Sequence, residues 1–216
     1  MTTKRGKPAH DPFNLIITGV GGQGNVLASR VVGDMLTRRG YDVTIGETFG
    51  ASQRGGSVMS HLRISRRGVF SPQIPRGRAH MVVALEPAEA IRVLNVYGNP
   101  GVKVLCNTRP IQPVGVICGD LNYPAPRKVV EWIQELSAEA WFFDPSKEAI
   151  ELGTPVVANI MTVGALAATE VLPLHRSVFQ EVVRMQFPAE KMAVNLKAFE
   201  MGAGMVRTAG DSKNGC

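Results

Sequence analysis

The stretch Phe13-Asn-Leu-Ile-Ile-Thr-Gly-Val-Gly-Gly-Gln-Gly24 decides the fold. Phe13–Thr18 is a short apolar run, the pattern of a strand buried on both faces. Gly19-Val20-Gly21-Gly22-Gln23-Gly24 then spells GxGxxG. From Asn25 to Arg39 the apolar residues Val26, Leu27, Val31, Met35 and Leu36 recur at helical spacing, and Gly40 is the stop. Tyr41–Ile45 reads as a second strand. Strand, glycine turn, helix and strand make a βαβ unit. In that setting the glycines permit a tight turn and close backbone approach. The helix behind them offers free N–H groups and a positive dipole end to an anion. Gly19, Gly21, Gly22, Gln23 and Gly24 are therefore candidate binding residues. Asp42 or Glu47, about 20 residues on, suits a ribose hydroxyl. Two blander readings stay open: a tight turn that binds nothing, and a loop packed on another subunit. Gly22 and the Gln23 amide are unusual for a plain dinucleotide site.

Outward from this unit, Val58–Ile64 alternates, with Val58, Leu62 and Ile64 facing one way and His61 and Arg63 the other. That suits a half-exposed strand. Arg66-Arg67-Gly68 reads as a turn and Val69–Ile74 as its partner, giving a β-hairpin inserted beside the main sheet. Met81–Leu85, Val102–Cys106, Val114–Cys118 and Trp141–Phe143 read as further short strands. Pro87 opens a helix over 88–96, and Pro126 opens another to about Ala138. The last third is helical: Val156–Leu172, rich in small residues, then Ser177–Gln186 and Ala189–Val206, split by Pro188. The alternation predicts a doubly wound, mostly parallel α/β sheet of Rossmann-like type with a helical C-terminal portion. We expect a disordered lead-in over 1–12, a single domain over 13–206 and a flexible tail over 207–216.

Composition narrows the function. The chain has 216 residues, 44% hydrophobic and 19% charged, enough to bury a core without staples. Its three cysteines, Cys106, Cys118 and Cys216, form no CxxC, which argues against a disulfide framework, a zinc ribbon or an iron–sulfur cluster on this chain alone. Cys106 and Cys118 fall on expected buried strands. Four histidines without metal-ligand spacing argue against a metal site. The longest apolar stretch free of charge and proline, Val156–Thr169, is shorter than the ~20 residues of a membrane span. MTTKRGKPAHDPFN has no apolar signal core, so the cytoplasm is the expected location. A net charge of +6 suits an acidic ligand or partner, while 6% aromatics disfavours base stacking.

From Thr48 to Leu85 there is no Asp or Glu, yet the stretch holds Arg54, Arg63, Arg66, Arg67, Arg76 and Arg78. Arginine suits a bidentate grip on phosphate or carboxylate, so this bias marks an anion-facing surface, or more blandly a solvated basic hairpin. Within it, 47–57 follows the second strand, at the carboxyl edge where ligands bind in such sheets. Ser52, Gln53, Arg54 and Ser57 supply polar groups, and Gly55 and Gly56 free the backbone to curl. These six join the candidate binding residues. His61, on the expected polar face, reads as a surface or interface histidine.

Together GVGGQG at 19–24 and ETFGASQRGGSVMSHLRIS at 47–65 resemble the gamma-type domain of 2-oxoacid:acceptor oxidoreductases, the family that includes the beta subunit of indolepyruvate:ferredoxin oxidoreductase. The resemblance runs from about Phe13 to Gly202. Phe49 stands where the family often has a histidine, a departure that bears on substrate. The resemblance implies an oxidative decarboxylation in which a 2-oxo acid, with an aryl substrate such as indolepyruvate the first choice, and coenzyme A give acyl-CoA, carbon dioxide and reduced ferredoxin. It implies a hetero-oligomer with a large alpha subunit that carries thiamine diphosphate with Mg2+ and 4Fe–4S clusters. This chain would then hold no catalytic residue and no metal, and would contact coenzyme A. Two other classes remain: a stand-alone NAD(P)- or flavin-binding oxidoreductase, and a basic nucleic-acid-binding module. No acid–base or nucleophile set supports the first, and no known nucleic-acid motif supports the second.

Overall fold

The computed structural model describes residues 8–50, 56–112, 116, 118–119 and 122–211. Strand β1 (Phe13–Val20) is buried along its whole length, as its apolar run predicts. Helix α1 (Asn25–Thr37) follows, then β2 (Asp42–Phe49) and β3 (Ser57–Ser65). β4 (Met81–Ala84), α2 (Pro87–Tyr97), β5 (Lys103–Asn107), α3 (Pro126–Glu135) and β6 (Glu139–Phe143) continue the alternation. Helices α4 (Ser146–Glu151), α5 (Ala158–Ala168), α6 (Arg176–Gln186) and α7 (Met192–Asp211) complete the described chain. No helix of these residues is long and apolar enough to cross a membrane.

The six strands form one sheet in the order β2-β3-β1-β4-β5-β6. β1, β4, β5 and β6 pair in parallel. β3 is antiparallel to both its neighbours, from Phe13↔Ile64 to Val20↔Ser57 on one side and from Asp42↔Ser65 to Phe49↔Val58 on the other. β1 and β2 therefore run the same way with β3 between them. α1 and α5–α7 pack on the face bearing Leu15, Ile17, Val83 and Leu105, and α2 and α3 on the face bearing Ile16, Val82 and Val104. The doubly wound, mostly parallel architecture matches the expectation.

The hairpin differs. Residues 69–74 are not a strand, and β3 pairs with β2 and β1 inside the sheet instead of with them. Its polar face is also not wet. His61 is 2% exposed, packs edge-on to Tyr97 at 5.2 Å between ring centres, and accepts the Ile74 N–H at Nδ1 across 3.4 Å. Burial pushes its pKa down. The segment leading to Ile74 covers this face, so alternation here records two different buried neighbours. The expected strand over Val114–Cys118 falls largely outside the described residues. Cys118 lies in a turn and is exposed, not buried, whereas Cys106 is buried as expected.

Helices α5 and α7 meet at their backbones. A Cβ on Gly164 would overlap the Phe199 carbonyl oxygen, and one on Gly202 the Met161 carbonyl oxygen. Backbone allows no relief by rotamer change. Nearby, Phe179 and Phe199 stack at 4.3 Å and join α6 to α7. On the amino edge of the sheet, Asp11 accepts the Ser65 hydroxyl at 2.5 Å and lies 3.7 Å from Arg67. His10 stacks on His80 at 4.0 Å, and His80 Nδ1 accepts the Asn14 N–H at 2.9 Å.

Gly202→Ala should lower unfolding stability by about 1–3 kcal/mol in urea titrations, because overpacking a close contact forces backbone shifts. A second expectation concerns pH. Burial, then the charges of His10, Arg63 and Arg78, hold the His80 pKa down to about 4. The unfolded chain thus binds this proton more readily than the folded one. The stability contribution is complete above the ordinary value of 6.5 and is lost as pH falls towards about 4. His80→Asn keeps an acceptor for Asn14 without the titration, and should flatten the fall in melting temperature across that window.

Candidate functional site

The glycine loop joins the carboxyl end of β1 to α1. Gln23 closes it: its Oε1 accepts the Val20 N–H at 2.6 Å and its Nε2 donates to the Leu85 carbonyl at 2.7 Å, so one amide bridges β1 and β4. That side chain needs the room that glycine leaves at 19, where a Cβ would stand 2.6 Å from Gln23 Oε1. Gly24 caps α1 with φ +85°, a left-handed conformation that glycine adopts without steric cost. A Cβ there would also overlap the Asn159 amide. The first turn of α1 has no side-chain cap. Its backbone N–H groups are the orphan donors of any helix start.

The two motifs singled out in the sequence meet at this edge. Gly21 N–H donates to the Gly56 carbonyl at 2.8 Å, and Asn25 Nδ2 to the Val58 carbonyl at 2.9 Å. The foot of the β2–β3 loop is thereby fastened to the glycine loop. Ser57 faces elsewhere: its hydroxyl donates to Glu89 Oε1 at 2.7 Å, in a network where Arg92 also grips Glu89. Ser52, Gln53, Arg54 and Gly55 lie outside the described residues. The described members of the acid-free arginine series do not assemble here. β3 runs away from the loop, so Arg66, Arg67, Arg76 and Arg78 stand towards the amino edge of the sheet, as the strand register requires. Arg63 is engaged internally, donating to the Ser71 and Gln73 carbonyls at 3.3 Å. Asp42 also lies at that far edge, opposite Ser65, which removes it as a ribose partner.

A cavity of about 450 Å³ opens in front of the loop. Gly22–Gly24 and Asn159 form one side. Leu27, Leu85, Ile111, Ile150 and Val156 make it apolar, and Asn107, Arg109 and Thr162 add polar groups. Asn159 is 6% and Asn107 8% exposed, so both amides are held by packing. Ile150 and Val156 are 63% and 62% exposed, large apolar groups left in water at the mouth. Sequence reasoning missed Asn107, Arg109 and Ile111, at and just past the end of a strand without any glycine signal, and it did not single out Asn159 within the small-residue helix over Val156–Leu172. The usable signal for the first three was position: the residues just past β5 must reach the same carboxyl edge.

Cys106, next to the cavity residue Asn107, is fully buried. Burial, reinforced by the Glu86 charge, pushes the Cys106 thiol far above its usual range. The reactive thiolate form is disfavoured, which leaves Cys106 a packing residue. Among the described residues, no group of three or more His, Cys, Asp or Glu side chains could hold a metal ion.

With this geometry in place, residues 14–205 match the pyruvate ferredoxin/flavodoxin oxidoreductase family. A relative from Thermococcus kodakarensis, indolepyruvate oxidoreductase subunit IorB, is 39% identical over 193 residues, covering 88% of this chain and 94% of that protein. Among solved structures, the keto/oxoacid ferredoxin oxidoreductase gamma subunit of Geobacter sulfurreducens superposes with a TM-score of 0.62 at 20% identity, over 91% of this chain and 99% of the other. The 2-oxoglutarate:ferredoxin oxidoreductase of Magnetococcus marinus, solved with 2-oxoglutarate, coenzyme A and succinyl-CoA, gives a TM-score of 0.67 at 19% identity, over 91% of this chain and 31% of that chain. The fold is the α/β type of the solved gamma subunit, and the relatives are named as oxidoreductase subunits. The chain belongs to the pyruvate ferredoxin/flavodoxin oxidoreductase family.

Gly24→Ala combines a left-handed backbone with an overlap on Asn159. It should cost about 1–2 kcal/mol from the backbone alone, read as a lowered urea midpoint, whereas Gly22→Ala, with open space at its Cβ, carries only the backbone cost.

Proposed function

We propose that this chain is the small, cluster-free subunit of a cytoplasmic, thiamine-dependent 2-oxoacid:ferredoxin oxidoreductase. A large alpha subunit is its partner, and an aryl 2-oxo acid of the indolepyruvate kind is the substrate. The reaction consumes the 2-oxo acid and coenzyme A and releases acyl-CoA and carbon dioxide, with the electrons passing to ferredoxin. Thiamine diphosphate with Mg2+ and the 4Fe–4S clusters, held by the partner, supply the decarboxylation and the electron relay. The domain over 13–206 contributes a coenzyme A contact.

One observation carries that contact: the uncapped start of α1 faces a half-apolar cavity beside the buried amide of Asn159. Coenzyme A has phosphates and a long, largely apolar arm. A helix N-terminus offers N–H donors and positive potential to a phosphate. Asn159 adds a neutral polar group that packing holds in place, and Arg109 stands at the rim with a cationic fork suited to a second phosphate. Leu27, Leu85 and Ile111 offer apolar walls to the arm. The described residues therefore fit a nucleotide-bearing thiol, and their part in the reaction is to bind and orient it, not to move protons.

A single substitution tests this in the reconstituted complex. Asn159→Asp places a carboxylate at the start of a helix, which helices tolerate, but sets it against an incoming phosphate. The KM for coenzyme A should rise about tenfold, equivalent to about 1.4 kcal/mol, with the KM for the 2-oxo acid unchanged. An unmoved coenzyme A KM would remove the contact from this pocket.

A further inference from the structure

Glu86 is 1% exposed, at the junction of β4 and α2. A buried carboxyl group is costly unless it is well satisfied, and burial pushes this one above its usual range. Its hydrogen bonds come from separate places. Oε2 accepts the Glu89 N–H at 2.9 Å, which caps α2. Oε1 accepts the Tyr123 hydroxyl. The Ile111 backbone also lies close enough to the carboxylate to favour its charged form. Capping alone does not call for this residue, since the shorter Asp, Asn and Ser are the favoured caps. The longer side chain and its second oxygen are explained by Tyr123 and Ile111.

Those two residues bracket the connection between β5 and α3. Ile111 follows β5 closely, and Tyr123 stands just before Pro126, where α3 begins. The near part of that connection, Asn107, Arg109 and Ile111, is one wall of the cavity. Within it, Asn107 Oδ1 accepts the Arg109 N–H at 2.9 Å, so the wall is locally braced as well. Tyr123 answers the same contact: burial and the neighbouring carboxylate both push its phenol pKa up, keeping it a donor.

We infer that Glu86 is a positioning residue that ties both ends of the β5–α3 connection to the start of α2, and so fixes Arg109 and Ile111 against the cavity. It touches no ligand itself. Its effect on binding rests on the coenzyme A reading above; the tether does not.

The test uses the full chain in its complex, with Glu86→Asp, Glu86→Gln and Tyr123→Phe. Glu86→Asp is the decisive variant, because a plain cap keeps or improves its function with Asp, whereas a tether loses its reach. Amide hydrogen exchange at Ile111 should rise about tenfold in Glu86→Asp and Glu86→Gln, and less in Tyr123→Phe. The coenzyme A KM should rise several-fold with kcat unchanged. Tyr123 is only half-buried, so Tyr123→Phe serves where the Glu86 variants fail to fold. Wild-type exchange at Ile111 in Glu86→Asp and Tyr123→Phe overturns the inference. Faster exchange with an unmoved coenzyme A KM, in a complex whose KM does respond to Asn159→Asp, overturns the positioning role. If neither Glu86→Asp nor Asn159→Asp moves that KM, the coenzyme A reading fails and the ligand half of the inference falls with it.

Discussion

Two glycines, Gly164 and Gly202, let α5 and α7 meet backbone to backbone, and the site depends on that contact. It seats α5 deep against α1 and the sheet. Asn159, at the start of α5, is thereby pressed against Gly24. That closeness leaves no room for a Cβ at 24, and the left-handed cap at 24 in turn sets how α1 leaves the glycine loop. Gln23 completes the arrangement by bonding β1 and β4 across the loop. A few close approaches thus determine where the open end of α1 points. Helix packing far from the cavity and ligand geometry inside it are one problem here.

Much of this was legible in the sequence, and the reasons differ by element. β1, α1 and the turn between them were readable because apolar run, glycine cluster and helical periodicity are local signals that agree. The place of β3 was not. Its alternation was correct, but pairing partners are decided by the whole sheet: β3 fills the edge of β1 opposite β4, and β2 closes the outer side of β3. His61 shows the same limit: a polar residue on an alternating strand signals solvent only when nothing covers that face, and Ile74 and Tyr97 do. The arginines were read as one surface because they are near in sequence, whereas an antiparallel strand carries Arg66 and Arg67 away from the loop that precedes it. Glu86 gave no local sign beyond preceding Pro87, because its value lies in its contacts with positions 111 and 123.

The relatives of this chain are named as subunits of an oxidoreductase. The groups at the carboxyl edge are amides, hydroxyls, glycine backbone, the Arg109 guanidinium and apolar walls, suited to holding a molecule still. Burial pushes the Cys106 thiol and the Tyr123 phenol above their usual ranges, away from proton exchange near neutrality, and it also raises the Glu86 carboxyl, which keeps its hydrogen bonds from Tyr123 and the Glu89 N–H. Ile150 and Val156 leave apolar surface exposed at the mouth, where its removal from water would be favourable.

The sheet also separates charge along its length. Arg66, Arg67, Arg76 and Arg78 are exposed at the amino edge, while the cavity opens at the carboxyl edge. A lopsided cationic end acts at a distance, turning the protein as a charged body approaches before any contact forms. An acidic surface steered to that end arrives on the side away from the cavity.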